Sequence, residues 1–266
     1  MLRTYVASAI LLTVTGIGYA DTAAGLRALD KKDYASAYRE LKTAAEKGEA
    51  PAQVALARMY AKGLGVEADM SEAMRLTQLA ANQHNPEAEF LMGLTYAKGW
   101  GVPQNFVEAS RWYQAAANQG DRRAQTEIAS LYEEGFGVQQ DYKLAAEWYL
   151  RATQHGLARA QFSLGQLTEK GRGVKRDEEG AFELYRRAAI QGYGPAQEKL
   201  GAMYASGTGV TADAEQALFW SSLAAKQQEK AAEHRLATLE SKLSADQVSA
   251  VKQSASKWKP ALAAAK

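Results

Sequence analysis

Apolar and small residues recur along this chain with a period of 36 residues between positions 51 and 230. In the first half of each period, an alanine is followed four residues later by a large apolar residue, and this spacing predicts a helix with one apolar stripe. The two columns are Ala52, Ala88, Ala124, Ala160 and Ala196, followed by Leu56, Met92, Ile128, Leu164 and Leu200. A second alanine-rich stripe in the other half of each period predicts a second helix.

The two helices of each period are separated by a Gly-x-Gly-Val turn that keeps the same register five times. The turns begin at Gly63, Gly99, Gly135, Gly171 and Gly207. A short polar residue follows each first glycine by six positions, and such residues favour the N-cap of a helix. These residues are Asp69, Asn105, Asp141, Asp177 and Asp213. Each period is therefore predicted as a helix, a glycine turn and a second helix, and the repetition predicts stacking of consecutive pairs.

The predicted fold is an all-α, right-handed α-solenoid of stacked antiparallel helix pairs, with five 36-residue repeats and capping helices at both ends. The repeats are predicted at residues 51–85, 86–121, 122–157, 158–194 and 195–230. Residues 21–50 are expected to form an N-terminal half-repeat, and residues 231–266 to form capping helices and a tail. Glu72, Glu108 and Gln216 stand three residues after N-caps and predict capping boxes in three repeats. Ser244 and Gln247 predict a further capping box, outside the repeats.

The first twenty residues differ from the rest of the chain. Arg3 is followed by an apolar run and by small residues at Gly18 and Ala20, which is the pattern of a secretory signal peptide cleaved after Ala20. The predicted location is therefore periplasmic or secreted, and no stable membrane insertion is expected after cleavage. An uncleaved anchor or a buried first helix is the alternative interpretation.

Composition narrows the possible functions. The 32 basic and 30 acidic residues leave a net charge of +2, which gives no electrostatic basis for nucleic-acid binding. The absence of cysteine excludes a disulfide framework, a thiolate metal site and a cysteine nucleophile.

The turn and the second helix together resemble the Sel1-like repeat family, a branch of the tetratricopeptide superfamily. The motif A-x-x-W-Y-x-x-A-A-x-x-G is represented by residues Ala109–Gly120. The resemblance implies a module that binds proteins, peptides or glycans. Some secreted relatives carry a disulfide in each repeat and have been linked to β-lactam-related activity, but this chain lacks those cysteines.

No catalytic, cofactor or metal site is predicted. His84, His155 and His234 have no second histidine at metal-ligand spacing. The adjacent pairs Glu133–Glu134 and Glu178–Glu179 are interpreted as solvated faces, because neighbouring residues point apart on a helix.

Candidate partner-binding residues lie on the first helices, opposite the apolar stripe, where the repeats differ in sequence. Stacked repeats present these helices on a concave face. The candidates are Arg58, Lys62, Leu91, Leu94, Lys98, Glu127, Glu134, Gln166 and Lys170. An ordinary solvated wall is the alternative. The turn residues Leu64, Trp100 and Phe136 predict either an apolar ridge or side chains folded under their loops.

The sequence therefore predicts an exported, non-catalytic adaptor that binds a protein or peptide partner on its concave face, without a cofactor. The alternative is a periplasmic ligand-binding protein or enzyme related to the cell wall or to β-lactams. A third possibility is a structural protein that self-associates through its ends. The partner's identity and the oligomeric state are not specified by the sequence.

Overall fold

A computed structural model describes residues 21–261, and within this range the chain forms fourteen helices and no strand. The predicted signal peptide at residues 1–20 and the last five residues of the predicted tail lie outside the described part. Helix α1 covers residues 21–30. The remaining helices are α2 (Tyr34–Glu46), α3 (Ala50–Lys62), α4 (Met70–Ala81), α5 (Pro86–Lys98), α6 (Phe106–Asn118), α7 (Arg122–Glu134), α8 (Tyr142–Thr153), α9 (Ala158–Lys170), α10 (Glu178–Ile190), α11 (Gly194–Ser206), α12 (Ala214–Ala225), α13 (Lys230–Glu240) and α14 (Ala245–Lys257).

The helices confirm the predicted all-α solenoid of helix pairs, with α3 to α12 forming five pairs. The chain divides into two compact units. The first unit runs to Ala124 and includes Phe136–Val138. The second unit comprises Gln125–Gly135 and the chain from Gln139 onward.

Each turn is built as the sequence predicts. The first helix of a pair ends in a left-handed glycine, with φ between 64° and 78° in the five turns. The polar residue at each predicted N-cap accepts a backbone N–H of the second helix through its side chain. Its own backbone N–H donates to a carbonyl near the end of the first helix, as from Asp69 to Tyr60 at 3.1 Å and from Asp213 to Tyr204 at 3.0 Å. These bonds fix the angle between the two helices of a pair.

The reciprocal capping boxes predicted in three repeats do not form, because the N-cap N–H groups of Asp69, Asn105 and Asp213 donate to carbonyls of the first helix of the pair. The carboxylates of Glu72 and Glu108 accept instead from Arg75 and Arg111, which lie three residues further along the same helices. The predicted box at Ser244 and Gln247 is confirmed at the start of α14.

Second helices end in residues with positive φ at the same repeat position. Gly120, Gly156 and Gly192 take φ values of 89°, 73° and 87°. His84 and Gln228 occupy the matching positions and adopt φ values of 58° and 65°. The fold therefore imposes the left-handed conformation on these two residues, although they carry the strain of a Cβ atom.

The core of each unit consists of alanines and one tier of larger side chains. Tyr113 in the first unit and Tyr149 and Tyr185 in the second are among the largest fully buried side chains. They stand one residue after Trp112, Trp148 and Leu184, of which Trp112 and Leu184 are only half-buried. Small residues make room for these rings, because a Cβ at Gly165 would lie 2.7 Å from the ring of Tyr185.

A buried polar ladder joins successive helices. Gln53 Nε2 donates to the Ala45 carbonyl at 3.3 Å, and Gln83 donates to the Gln53 side chain at 2.9 Å. The same pattern recurs in the second unit, where Gln197 donates to Ala189 at 3.1 Å. Glutamine side chains suit this ladder because one amide group can both donate and accept a hydrogen bond.

Candidate functional site

An apolar pocket of about 440 Å³ lies in the first unit, between helices α3, α4 and α5 and beside the turn that follows α5. Ala57, Ala61 and Ala73 form part of its wall. The larger apolar side chains around it are Met70, Met74, Leu91, Leu94 and Trp100, and the polar ones are Arg58, Thr77 and Thr95. The volume is in the range of sites that accommodate a small ligand or a few side chains.

The pocket exists because Thr77 is short. The residues at its position in the next three repeats are Tyr113, Tyr149 and Tyr185, and all three rings are buried. The Thr77 hydroxyl donates to the Ala73 carbonyl of its own helix at 2.7 Å, so its side chain turns back onto α4. The space beyond it is left unfilled.

The corresponding place in the second unit is full. The Tyr185 ring lies over Gly165, and its hydroxyl donates to Glu169 at 2.7 Å. Lys199 pairs with the same carboxylate at 3.2 Å. Burial, followed by the carboxylate of Glu169, raises the pKa of Tyr185 well above its ordinary value. The counterparts of Tyr185, Glu169 and Lys199 in the pocket are Thr77, Ala61 and Leu91.

A short residue alone does not open a pocket. Ser221 holds the tyrosine position in the fifth repeat, and Arg235 from α13 extends to it with Nη1 3.4 Å from the serine oxygen. Arg235 also pairs with Glu198 at 2.7 Å. A following helix therefore covers the short side chain of Ser221, whereas Thr77 lines an open pocket.

The turn beside the pocket stands away from the start of α4, the second helix of the preceding pair. A Cβ at Gly101 would meet only the Cγ of Met70, at 3.8 Å. At the matching turns of the second unit, a Cβ at Gly173 would lie 2.2 Å from the Tyr142 backbone, and one at Gly209 would lie 2.3 Å from the Glu178 carbonyl. The looser turn leaves Met70 49% exposed at the pocket mouth.

The three turn residues considered as an apolar ridge have different surroundings. Leu64 folds against the core of the first unit, as the alternative prediction states. Trp100 is 51% exposed and lines the pocket. Phe136 stacks on Phe106 with the ring centroids 5.2 Å apart, and half of its surface stays exposed.

One basic side chain lines the pocket, and two more lie one helical turn beyond lining residues. Arg58 lines it and donates to Glu87, whose carboxylate also lies 4.0 Å from Arg123. Lys62 follows Arg58 by one helical turn, and Lys98 follows Leu94 by one turn, so each shares a face with a pocket residue. Both lysines are exposed, and neither forms an ion pair within residues 21–261.

The nine predicted partner-binding residues thus separate into two groups. Arg58, Leu91 and Leu94 meet in the pocket, and Lys62 and Lys98 flank it in sequence and on the helix surface. The remaining four belong to the second unit and are Glu127, Glu134, Gln166 and Lys170. Among them, Glu127 pairs with Arg159. The partner-binding role of these four residues, and the concave face itself, remain predictions.

Sequence reasoning did not identify Thr77, Met70 and Met74 as pocket residues. The signal for Thr77 is present in the sequence, since it interrupts a column that is tyrosine in the next three repeats. Met70 and Met74 carry no such signal, because an exposed methionine on a helix is ordinary.

Metal ligation and membrane insertion find no support in the described part of the chain. No group of three or more His, Asp or Glu side chains is arranged to hold a metal ion among residues 21–261. His84 Nδ1 lies 3.4 Å from the buried Glu89, which also accepts from Gln119 at 2.7 Å. Within the same range, none of the helices has the length and apolar character required to span a bilayer.

Comparison with known proteins agrees with the repeat architecture. The Sel1 repeat family model matches residues 50–85, 86–121, 122–157, 158–193 and 194–229. A Sel1 repeat protein from Oxalobacter formigenes is 38% identical, with a TM-score of 0.71 over 76% of this chain and 83% of that one. The protein c5321, a protective antigen of uropathogenic Escherichia coli with an SLR fold, is 27% identical, with a TM-score of 0.63 over 92% of this chain and 62% of that one. No curated protein matches the chain.

Proposed function

Because this chain belongs to the Sel1 repeat family, we propose that it is a non-catalytic scaffold that binds a segment of a partner protein in the pocket of the first unit. Sel1 repeat proteins typically act as protein-interaction scaffolds. The observation that carries the proposal is the apolar pocket between α3, α4 and α5, which has Arg58, Leu91 and Leu94 in its wall. Exposed apolar concavities with a polar rim are typical of interaction sites.

The polar groups at the pocket favour binding over catalysis. Arg58 is engaged with Glu87, and the Thr77 hydroxyl is engaged with a carbonyl of its own helix. Nucleophilic catalysis requires a hydroxyl within hydrogen-bond reach of a base, and general acid–base catalysis requires a titratable group facing the substrate. Turnover of nitrocefin by the purified chain would contradict the non-catalytic assignment.

Export is part of the proposal and rests on the amino-acid sequence of residues 1–20. The basic start, the apolar run and the small residue at Ala20 support cleavage before Asp21. Intact-mass analysis of the protein recovered from its own cells should give a chain that begins at Asp21. Recovery of the uncleaved chain from the soluble cytosol would contradict export.

The binding proposal can be tested by photo-crosslinking in the producing cell. A benzoyl-phenylalanine in place of Leu94 should crosslink a discrete partner protein, and mass spectrometry should identify the crosslinked segment. The same probe in place of Ala202, the matching position of the second unit, is the control and should not crosslink that partner. Absence of a crosslink at Leu94, equal crosslinking at both positions, or crosslinking only to a second copy of the chain would contradict the proposal.

A further inference from the structure

The geometry points to the chemistry of the bound segment: we infer that the pocket is a vacant tyrosine slot and accepts one aromatic side chain from an acidic stretch of the partner. This inference rests on the proposed function, since it specifies what the same pocket binds.

The occupant's shape follows from the other repeats. In the second unit, the ring of Tyr185 fills the space over Gly165 and ends at Glu169. The pocket is lined by the counterparts of these residues, which are Thr77, Ala57 and Ala61. The fold therefore already accommodates an aromatic ring at this position when the chain supplies one. Within residues 21–261 the residue at this position of the first repeat is Thr77, which has no ring, so a ring supplied by a partner can occupy the space.

The pocket provides apolar contacts for such a ring. Met70 and Met74 stand on one side, and Leu91 and Leu94 stand on another. Thioethers contact aromatic rings favourably and adapt to their shape. A volume of about 440 Å³ holds one aromatic side chain together with part of its backbone. A single buried aromatic anchor is the typical energetic centre of a peptide interface.

The ring needs no hydroxyl group. Glu169 accepts the Tyr185 hydroxyl in the second unit, and Ala61 stands at that position in the pocket. A phenylalanine ring is thus expected to bind at least as well as a tyrosine ring, because the pocket has no matching carboxylate.

The charge of the partner follows from the flanking residues. Arg58 lines the pocket, and the exposed Lys62 and Lys98 lie one helical turn beyond pocket residues. Neither lysine has an ion pair within the described residues, whereas Arg58 shares Glu87. Acidic residues beside the aromatic anchor would complement these lysines. The preferred segment is therefore an aromatic residue flanked by Asp or Glu.

Peptide binding by the full 266-residue chain tests the inference. The probe is acetyl-Gly-Phe-Asp-Asp-Gly-amide, and its controls replace Phe by Ala or both Asp by Lys. Isothermal titration should show roughly tenfold or greater weakening without the phenyl group, since a buried ring contributes that much affinity. Replacement of Asp by Lys should weaken binding several-fold at low salt, and the difference should shrink at high salt.

Two variants locate the effect. The filled-slot variant, Ala57→Gly with Thr77→Tyr, copies the arrangement of Gly165 and Tyr185 and should abolish binding of the phenylalanine peptide. Leu94→Glu, at a half-buried wall position, should also weaken it tenfold or more. Circular dichroism should show that both variants remain folded.

Equal affinity of the Phe and Ala peptides, unchanged binding by the filled-slot variant, or no binding of any peptide would overturn the inference. None of these results removes the proposed function, which the Leu94 crosslink decides separately. Conversely, tight binding of the phenylalanine peptide with no crosslink in cells would uphold the slot and contradict the scaffold.

Discussion

The first and fourth repeats place different side chains in the same slot between three helices. In the fourth repeat, Tyr185 fills the slot and its hydroxyl is held by Glu169, which also pairs with Lys199. In the first repeat, Thr77 leaves the slot open, and apolar residues replace both partners of the ring. The helices, turns and caps around the two slots follow the same pattern.

The contrast separates residues that maintain the fold from residues available for binding. A solenoid is stabilised by contacts between neighbouring pairs, so a filled slot contributes to that stability. An open slot forgoes this contribution and leaves apolar surface in contact with water. The fifth repeat supports this distinction, because Arg235 covers Ser221 where its tyrosine is missing. Only a gap that no neighbouring side chain covers can bind a side chain of a partner.

The largest effect is expected from emptying the filled slot. Tyr185→Thr should lower the free energy of unfolding by about 4 kcal/mol, because it deletes a fully buried ring and leaves Glu169 without its hydroxyl donor. Urea denaturation measures the change. Tyr185→Phe is the matched control and should cost about 1 kcal/mol, the contribution of one hydrogen bond. Equal losses for the two variants would show that the ring does not hold the slot.

The glycine turns next to the two slots should differ in their tolerance of a side chain. Gly209→Ala should cost about 3 kcal/mol, because its Cβ would lie 2.3 Å from the Glu178 carbonyl oxygen and φ is 66°. Gly101→Ala also places a Cβ on a residue with positive φ, but without that clash, and should cost about 1 kcal/mol. Thermal and urea unfolding compare them. A loss at Gly101 as large as that at Gly209 would contradict the looser turn at the pocket.

Alkaline pH should weaken the filled slot. The pKa of Tyr185 is raised by burial and by Glu169, so the folded state keeps its proton at pH values where the unfolded tyrosine loses it. Its contribution to stability is therefore complete below pH 10 and declines as the pH rises further. Between pH 10 and pH 11, wild type should lose about 1 kcal/mol more stability than Tyr185→Phe. Parallel pH profiles of the two proteins would rule out this linkage.

Filling the open slot should raise the free energy of unfolding, by less than emptying the filled slot lowers it. The filled-slot variant buries an aromatic ring but places a glycine inside α3, so the net increase in stability should be about 1 kcal/mol. Thermal unfolding of the variant and of Thr77→Tyr alone measures it. Thr77→Tyr alone should gain less, because the Ala57 Cβ occupies space that Gly165 leaves free. A marked loss of stability in the double variant would mean that the slot cannot hold a ring.

The sequence predicts the repeated architecture well because each helix carries its own boundary signals. Asp69 and its counterparts cap the second helices, and Gly63 and its counterparts end the first helices. The capping boxes predicted at Glu72, Glu108 and Gln216 do not form, because the N-cap N–H groups they would bind donate to the first helix of each pair. Local sequence determines what a residue can bind, while the choice between partners depends on geometry.

The pocket is only partly predictable. Leu91 and Leu94 are identifiable because they lie on a face that varies between the repeats and are apolar where helix packing does not require it. Thr77 interrupts a column of tyrosines, but a short residue in that column does not tell whether a neighbouring side chain fills the space beside it. Ser221 is equally short, yet a side chain from α13 reaches it. An open slot depends on which residue comes from another helix, and periodicity does not specify this.

The most direct test of the open slot is NMR of the full chain labelled at its methionine methyl groups. Met70 and Met74 line the pocket, and Met203 holds the position in the second unit that matches Thr95 of the pocket wall. Titration with N-acetyl-phenylalanine amide should shift the Met70 and Met74 signals in wild type, leave Met203 unchanged, and cause no shift in the filled-slot variant. Shifts of equal size at all three methyl groups, or unchanged Met70 and Met74 signals in wild type, would contradict an open aromatic slot in the first repeat.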